Sequence, residues 1–179
     1  MLPELLETAR LALRPFTTSD ARDVYSYWQS DSGWERFNAI VPFDFTETDA
    51  QRFVTEMIGR NREEHPNWAI VLQHSVVGVV SLSFEQDHRV CVIGYGVHGD
   101  LRGRGLSAEA AQFVIEKAFE VYPQLQRIRA QTDSENVASI RVLEKLGFLH
   151  EGTLRANQFV KGDWRDEAVF GLLRSDLSS

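Results

Sequence analysis

The sequence predicts a mixed α/β fold in which helices cover a sheet, and three observations support this prediction. Some stretches alternate apolar and polar residues, as strands do, whereas others repeat apolar residues every three or four positions, as helices do. Two apolar runs, 68–72 and 76–84, are separated by three residues, which is typical of a hairpin. The element order is a strand, two helices, three strands, a helix, a strand, a helix and two strands.

The N-terminal part predicts one strand and two helices. Residues 7–16 alternate arginine and alanine with leucine and reach a proline, which predicts a half-buried strand. A helix is expected next, followed at 30–45 by an irregular loop rich in aromatic residues that could form the wall of a pocket. The second helix runs to residue 63 and begins at a capping box of Thr46 and Asp49. Its inward-facing residues are predicted to be Phe53, Met57 and Ile58.

The central part predicts the hairpin described above and then a strand at 91–97. Gly94 and Gly96 weaken this strand, and they indicate a bulge or a splayed edge where a ligand comes close. A helix is expected from Leu106 to about Tyr122, because its apolar residues line one face.

The C-terminal part predicts a strand at 127–132, a short helix at 136–146 that stops at Gly147, and two final strands at 148–160 and 167–173. The turn between the final strands is predicted at Lys161, Gly162 and Asp163. The apolar side of the short helix is predicted to comprise Val137, Ile140, Leu143 and Leu146.

The composition is that of a globular protein. The chain has 179 residues, of which 43% are hydrophobic and 25% charged, so we expect a single domain over residues 1–179. No apolar run approaches the length of a membrane span, and the N-terminus lacks the features of a secretion signal. We therefore expect a cytoplasmic protein with no membrane partner.

Charge and cysteine content exclude further classes. The net charge of −7 argues against a nucleic-acid partner, because affinity for phosphates needs a surplus of lysine and arginine. It is more compatible with a basic substrate. Cys91 is the single cysteine, which excludes an internal disulfide or a cysteine-based metal cluster, and no metal is expected.

The stretch LRGRGLSAEA, residues 101–110, is the most informative in the chain. Gly103 and Gly105, each preceded by an arginine, join the strand to the helix. Backbone N–H groups at a helix start carry partial positive charge, and glycines let a phosphate approach them, while Arg102 and Arg104 add full charge. The pattern differs from the dinucleotide and P-loop motifs. Spacing alone leaves two interpretations: a phosphate site, or a glycine-rich turn with solvated arginines.

A resemblance to a known family lies in the element order, the stretch 101–110 and the stretch NVASIRVLEKLGF at 136–148. Over nearly its whole length the chain resembles the GNAT superfamily of acetyl-CoA-dependent N-acyltransferases. The opening ETARLALRPF at 7–16 and the closing LRANQFVKGDWRDEAVF at 154–170 are similar to its RimJ/RimL subgroup. The best-known members of that subgroup acetylate the N-terminal amines of ribosomal proteins. The resemblance implies a mostly antiparallel sheet, splayed at the cofactor site, with helices on both faces.

The resemblance also implies a cofactor site. The diphosphate of coenzyme A would lie on the backbone amides of residues 103–107, beside Arg102. The pantetheine arm would add to the splayed edge of the strand ending at Val97, whose N–H would polarise the thioester carbonyl. Asn136 matches a family asparagine that contacts the arm, although a simple helix N-cap is the alternative. The implied cofactor-binding residues are Val97, Arg102, Gly103, Arg104, Gly105, Leu106, Ser107 and Asn136.

One position in the loop departs from the family pattern. Asp100 stands where the family usually has glutamine or arginine. A carboxylate repels a diphosphate, so Asp100 must point away or be neutralised by Arg102.

The catalytic acid is implied by the resemblance as well. Many GNAT enzymes place a proton-donating tyrosine where this chain has Leu143. In the subgroup the proposed donor is a serine one turn earlier, and Ser139 occupies that place. An ordinary helix serine bonded to its own backbone is the alternative.

The base is less evident, because two glutamate positions of the family hold Val92 and Gln158, which cannot take a proton. The remaining candidates are a water chain or one of Glu35, Glu85, His98 and Glu151. For the acceptor pocket we predict the aromatic residues Trp34, Phe37, Phe43 and Tyr95, and the alternative is that these residues only close the core.

The predicted activity is transfer of an acetyl group from acetyl-CoA to a primary amine, by direct attack. A lysine amine with a pKa near 10.4 is neutral in about one molecule in 2,500 at pH 7, which costs roughly 4.6 kcal/mol, against about 1 kcal/mol for an α-amine. A site without an evident base therefore favours an α-amine, such as a ribosomal-protein N-terminus. The alternatives are acetyl or larger acyl transfer to a small amine (an antibiotic, a polyamine or an amino acid) and a non-catalytic acyl-CoA sensor. A monomer or a homodimer is expected.

Overall fold

A computed structural model describes residues 1–29 and 44–178 of the protein. The strands are β1 (Leu6–Glu7), β2 (Ala12–Arg14), β3 (Asn67–Leu72), β4 (Ser75–Glu85), β5 (Val90–Val97), β6 (Arg127–Asp133), β7 (Leu149–Val160) and β8 (Asp163–Leu173). The helices are α1 (Ala21–Gln29), α2 (Glu47–Gly59), α3 (Leu106–Val121) and α4 (Val137–Lys145). The predicted mixed fold and its order of elements are confirmed.

The strands form one sheet in the order β1-β2-β3-β4-β5-β6-β8-β7, and neighbouring strands are antiparallel except β5 and β6. The parallel pair is short: Val90–Val92 lies beside Arg127–Arg129, and no further residues of the two strands are in register. Because β5 continues to Val97 and β6 to Asp133, the two strands separate towards these ends. This opening confirms the splayed, mostly antiparallel sheet.

Helices cover both faces of the sheet, as predicted. The larger core cluster packs α3 and α4 against one face, and it includes Trp68, Ile70 and Ile128. The smaller cluster packs α1 and α2 against the other face, over Ala69 and Val76. Successive residues of a strand point to opposite faces, which is why Trp68 and Ala69 belong to different clusters.

The capping box that was predicted for α2 is present. The Asp49 N–H donates to Thr46 Oγ1 at 3.2 Å, and the Thr46 N–H donates to Asp49 Oδ2 at 3.0 Å. The helix therefore begins at Glu47, and it ends at Gly59, four residues before the predicted end. Ile58 was wrongly predicted to face inward: it is 47% exposed, because Val54 and Met57 occupy the inward side.

The remaining corrections concern short segments. The predicted strand at 7–16 is divided into β1 and β2 by a turn in which the Thr8 N–H donates to Leu11 O. Val137 is 52% exposed rather than inward-facing, since it is the first residue of α4. β8 begins at Asp163, because Lys161 and Gly162, with φ of 52° and 94°, form a two-residue hairpin turn.

β7 lies at one edge of the sheet and is irregular. Its register with β8 shifts twice, once after His150 and once between Leu154 and Gln158. In the second shift three residues of β7 oppose Asp166 alone, Ala156 has a φ of 47°, and the Ala156 N–H donates to Asp166 Oδ1 at 2.8 Å. The side chains next to this bulge therefore depart from strict alternation.

In the described ranges, none of the helices has the length and apolar character needed to cross a bilayer.

Candidate functional site

The open edge of β5 presents a backbone donor where the sheet splays. Gly96 O faces β4, because a Cβ added at Gly78 would collide with this oxygen. The His98 N–H also faces β4 and donates to Val77 O at 2.8 Å. In a trans peptide the C=O and the following N–H point in opposite directions, so the Val97 N–H points away from β4. The Val97 N–H therefore faces the opening between the separated ends of β5 and β6, called the gap. This is the direction that the role predicted for it requires.

The glycine loop offers a row of free backbone donors. Gly103 and Gly105 have φ of 73° and 75°, and Gly105 is the N-cap of the 16-residue α3. The N–H groups of residues 103–107 donate no hydrogen bond to any residue in the described ranges. Arg102 and Arg104 are exposed beside them. Main-chain donors at a helix N-terminus, unhindered by a glycine Cβ, fit a diphosphate.

The side chains of the next two predicted cofactor residues differ in exposure. Leu106 is buried in the core, so it can offer a ligand only its backbone, while Ser107 is half-buried. Asp100 turns its carboxylate towards His98 Nδ1, 3.8 Å away, and leaves it 79% exposed. This orientation agrees with the first of the two expectations for Asp100, that it points away from the loop.

Arg10, which the sequence did not single out, holds the loop from the β1–β2 turn. Its Nη1 donates to Arg104 O at 3.0 Å, and its Nε donates to Glu109 Oε2 at 2.6 Å. Because the peptide between Arg104 and Gly105 is trans, Arg10 fixes the Gly105 N–H in the opposite direction. Thr8 Oγ1 and the Arg10 N–H also donate to Glu109. Burial acts to raise the pKa of Glu109, but these hydrogen bonds outweigh burial and hold that pKa below its usual value.

Ser139 and Tyr95 meet beside the gap. Tyr95 Oη lies 3.3 Å from Ser139 Oγ and 3.3 Å from Ser139 O. Burial raises the pKa of Tyr95 to about 12, although the hydrogen bond with Ser139 opposes the shift. The phenol therefore keeps its proton at neutral pH. Asn136 is the N-cap of α4, and its Oδ1 accepts from the Ser139 N–H at 3.2 Å. Sequence reasoning did not foresee the contact between Tyr95 and Ser139.

Two of the candidate bases, Glu85 and Glu151, lie away from the end at which β5 and β6 separate. Glu85 pairs in register with Val90, at the start of β5, and both of its oxygens accept from Arg129 Nη2 at 2.7 Å. Glu151 accepts from both terminal nitrogens of Arg127. The Arg127 hydrogen bonds hold the pKa of Glu151 below its usual value. Both carboxylates are thus engaged at the paired end of β5 and β6.

His98 is closer to the open end, since it directly follows Val97. Its Nδ1 accepts from the Asp100 N–H at 3.2 Å, which places the proton of the neutral ring on Nε2. The only ring lone pair able to take a proton is then occupied, so His98 is poorly arranged as a base. Glu35, Trp34, Phe37 and Phe43 lie outside the described residues.

Gln158, at one of the two family glutamate positions, contacts a buried glutamate. Its Nε2 donates to Glu167 Oε1, and Glu167 is 3% exposed. The sequence gives little sign that Glu167 is buried: it is a single acidic residue at the start of the otherwise apolar strand segment EAVF. Val92, at the other glutamate position, is half-buried in β5.

Comparison with known proteins gives consistent results. The family model described as acetyltransferase (GNAT) domain matches residues 10–149. The uncharacterized N-acetyltransferase p20 of Bacillus licheniformis is 32% identical over 180 residues, covering 98% of this chain and 99% of that protein. The ribosomal protein uS5-alanine N-acetyltransferase of Escherichia coli is 27% identical over 106 residues, covering 58% of this chain and 54% of that protein. A GNAT-family acetyltransferase structure from Bacillus anthracis has a TM-score of 0.83 at 27% identity, covering 96% of this chain and 99% of that one.

Proposed function

Because the chain belongs to the GNAT family of acetyltransferases, and is thereby an acetyl-CoA-dependent acyltransferase, we propose that its acceptor is the N-terminal α-amine of a protein or peptide. The observation that supports acyl transfer most directly is the Val97 N–H, which faces the gap between β5 and β6. Such a donor stabilises the negative charge that develops on a carbonyl oxygen under attack.

The proposed mechanism assigns a role to each part of the site. Acetyl-CoA supplies the activated acetyl thioester. The backbone amides of 103–107 hold its diphosphate, and Val97 polarises its carbonyl. The neutral amine attacks the carbonyl carbon, the carbon–sulfur bond breaks, and the thiolate takes a proton from the hydroxyl of Ser139. Tyr95 Oη lies within hydrogen-bond distance of Ser139 Oγ, so the Tyr95 hydroxyl can replace that proton and regain one from solvent. Solvent also removes the extra proton from the amine.

The choice of an α-amine follows from the state of the acids described above. Glu85 and Glu151 are held by arginines, and His98 uses its lone pair on a backbone N–H. An α-amine needs little help to lose its proton at pH 7, whereas a lysine amine needs a strong base. The related ribosomal protein uS5-alanine N-acetyltransferase of Escherichia coli is named for N-acetylation of an alanine. Alanine has no side-chain amine, so this name supports the choice of an α-amine.

An acceptor screen tests the proposal. The panel contains peptides with free N-termini, the same peptides with an acetylated N-terminus and an internal lysine, spermidine and an aminoglycoside. We expect free N-termini to be acetylated fastest and the product mass to rise by one acetyl group. Faster reaction with lysine or spermidine contradicts the α-amine proposal. Binding of acetyl-CoA with no turnover on any amine favours the sensor instead.

Replacing Ser139 by alanine tests the proposed proton donor. We expect kcat to fall roughly tenfold to a hundredfold, which is at or below the lower limit for the effect of one general acid, because the Tyr95 hydroxyl remains nearby. The KM for acetyl-CoA should change little. Steady-state kinetics measures both values, and Ser26→Ala, an exposed serine on α1, is the matched control. A Ser139→Ala enzyme with the kcat of the wild type removes Ser139 from the mechanism.

Replacing Arg10 by alanine tests how the loop is held. The change removes the bonds to Arg104 O and Glu109, so the Gly105 N–H is no longer fixed. We expect the KM for acetyl-CoA to rise about tenfold, as expected for one lost hydrogen bond to a charged group, while kcat changes less than twofold. Arg10→Lys should restore little of the affinity for acetyl-CoA. A lysine ammonium lacks the planar set of donors with which the Arg10 guanidinium reaches both Arg104 O and Glu109.

The matched control for Arg10→Ala is Arg60→Ala, which removes an arginine paired with Glu56 on α2. Both variants are checked by thermal unfolding. An unchanged KM for acetyl-CoA in a folded Arg10→Ala protein contradicts the positioning role of Arg10.

A further inference from the structure

Glu167 is a buried acid that the mechanism above does not use. Three side-chain amides surround its carboxylate: Gln131 Nε2 donates to Oε2 at 3.0 Å, Asn157 Nδ2 donates to Oε2 at 2.7 Å, and Gln158 donates to Oε1. Within the described ranges, no lysine, arginine or histidine lies within ion-pair distance of it. A buried carboxylate without a cationic partner is unusual in a folded protein, because its charge is left uncompensated.

The bulge in β7 makes this cluster possible. Asn157 and Gln158 are consecutive, and in a regular strand their side chains would point to opposite faces of the sheet. The irregular register between Leu154 and Gln158 lets both amides reach Glu167. The fold thus departs from a regular strand at the point where the two amides meet the carboxylate.

The cluster lies at the level of the gap, on the sheet face opposite α3 and α4. Glu167 pairs with Asp133 near the end of β6 that separates from β5. Gln131 lies in the same part of β6. Ile128 and Ala130 belong to the core under α3, so the alternate residues Gln131 and Asp133 face the other side. By the same alternation, Gly94 and Gly96 of β5 face that side too. Gly94 is exposed, so the gap can be reached from that side at Gly94, whereas Gly96 is buried.

The chemistry of the cluster favours a cation. An ionised carboxylate only accepts hydrogen bonds, so each amide presents its nitrogen to Glu167 and its carbonyl oxygen in the other direction. Gln131 and Asn157 are exposed residues, so a ligand at the surface can reach their side chains. The nearby Arg165 is paired with both Asp133 and Glu135. Together with Glu167 these side chains comprise three carboxylates and one guanidinium, which is a net negative site.

We propose that Glu167 is a positioning residue for the acceptor, which holds the ammonium form of the incoming amine at the open face of the gap through the amide oxygens of Gln131 and Asn157. This inference rests on the proposed function, since it assumes that an amine is the acceptor. Glu167 does not itself have to touch the amine. Its charge makes the amide oxygens a favourable site for N–H donors, and the amine loses its proton to solvent as it leaves this site for the thioester.

The experiment compares charged and neutral ligands on the CoA-bound protein. One pair of probes is an alanine-first tetrapeptide and its analogue with hydrogen in place of the amine, and a second pair is butylamine and butanol. Ligand-observed NMR gives the affinities. We expect wild-type protein to bind each amine at least tenfold more tightly than its neutral partner, and Glu167→Gln to reduce that ratio to about one. Affinity for CoA should stay the same.

Two further variants separate charge from structure. Glu151→Gln makes the same chemical change on the same sheet face, at the paired end of the strands, and should leave the ratio unchanged. Gln131→Met changes an exposed residue, which the fold tolerates, and should lower the ratio even if Glu167→Gln does not fold. Equal affinity of wild-type protein for amine and neutral probes, or an unchanged ratio in both Glu167→Gln and Gln131→Met, overturns the inference.

The two probe pairs also distinguish this inference from the proposed function. If only butylamine shows a preference that depends on Glu167, the inference holds and the α-amine proposal fails. If the tetrapeptide is acetylated but the ratio is unaffected by either variant, the proposed function holds and Glu167 has only a structural role.

Discussion

A Gly105→Glu protein is expected to lose at least a hundredfold in affinity for CoA and acetyl-CoA. Gly105 has a φ of 75°, which a residue with a Cβ adopts only with strain of about 1 kcal/mol. The added carboxylate would stand among the free N–H groups of residues 103–107 and repel the diphosphate. A Cβ at this position would also lie 3.7 Å from Arg10 Nη2, so the new acid competes for the arginine that holds the loop. Calorimetry with CoA measures the loss.

The control for this variant is Gly162→Glu. Gly162 also has a positive φ, of 94°, and an added Cβ there meets nothing within 4 Å. The change has a similar conformational cost and the same charge but lies in the hairpin turn between β7 and β8. It should bind CoA like the wild type. If Gly105→Glu also binds like the wild type, the loop is not the diphosphate site, and the proposed placement of the cofactor fails.

Replacing Gly78 by alanine should have the second largest effect, although Gly78 belongs to β4 and not to the loop. The new Cβ collides with Gly96 O and lies 3.0 Å from Val97 Cα and 3.1 Å from Val97 Cγ1. These are mainly backbone contacts, so the end of β5 must move away from β4 and take the Val97 N–H with it. Losing one such donor typically reduces kcat by about a hundredfold or more. Overpacking by one methyl group should also lower stability by about 1–3 kcal/mol.

The measurements for Gly78→Ala are kcat, the Kd for CoA and the melting temperature. We expect kcat to fall about a hundredfold, whereas CoA affinity should change less because the diphosphate loop is intact. Gly59→Ala, at the end of α2 with nothing within 4 Å of the added Cβ, should leave all three values close to wild type. A folded Gly78→Ala protein with normal kcat shows that the Val97 N–H is not the donor.

Features with local sequence signals were predictable. The capping box of α2 needs two residues three positions apart, and both are visible in the sequence. Gly147, with a φ of 85°, ends α4 as expected of a glycine after a helix. The splay was also foreseen, because Gly94 and Gly96 weaken a strand that the alternation otherwise supports. In each case the cause and the structure lie within a few residues of one another.

Features that depend on distant residues were not predictable. Arg10 and Glu109 are 99 positions apart, and nothing near either one indicates the other. Tyr95 and Ser139 are 44 positions apart, and they meet because β5 and α4 flank the same gap. The amides around Glu167 come from two different strands, β6 and β7. A sequence pattern gives the face on which a residue lies, but a contact across strands depends on how the whole sheet is assembled.

The irregular register of β7 has a consequence for how the molecule behaves in a crowded solution. β7 is an outer strand, and an outer strand with regular spacing offers a template on which a neighbouring polypeptide can extend the sheet. Here the excess residues opposite Asp166 interrupt that spacing near the middle of the strand. A second molecule aligned along this border could match only a few consecutive peptide groups, which discourages fibrous association between copies of the protein.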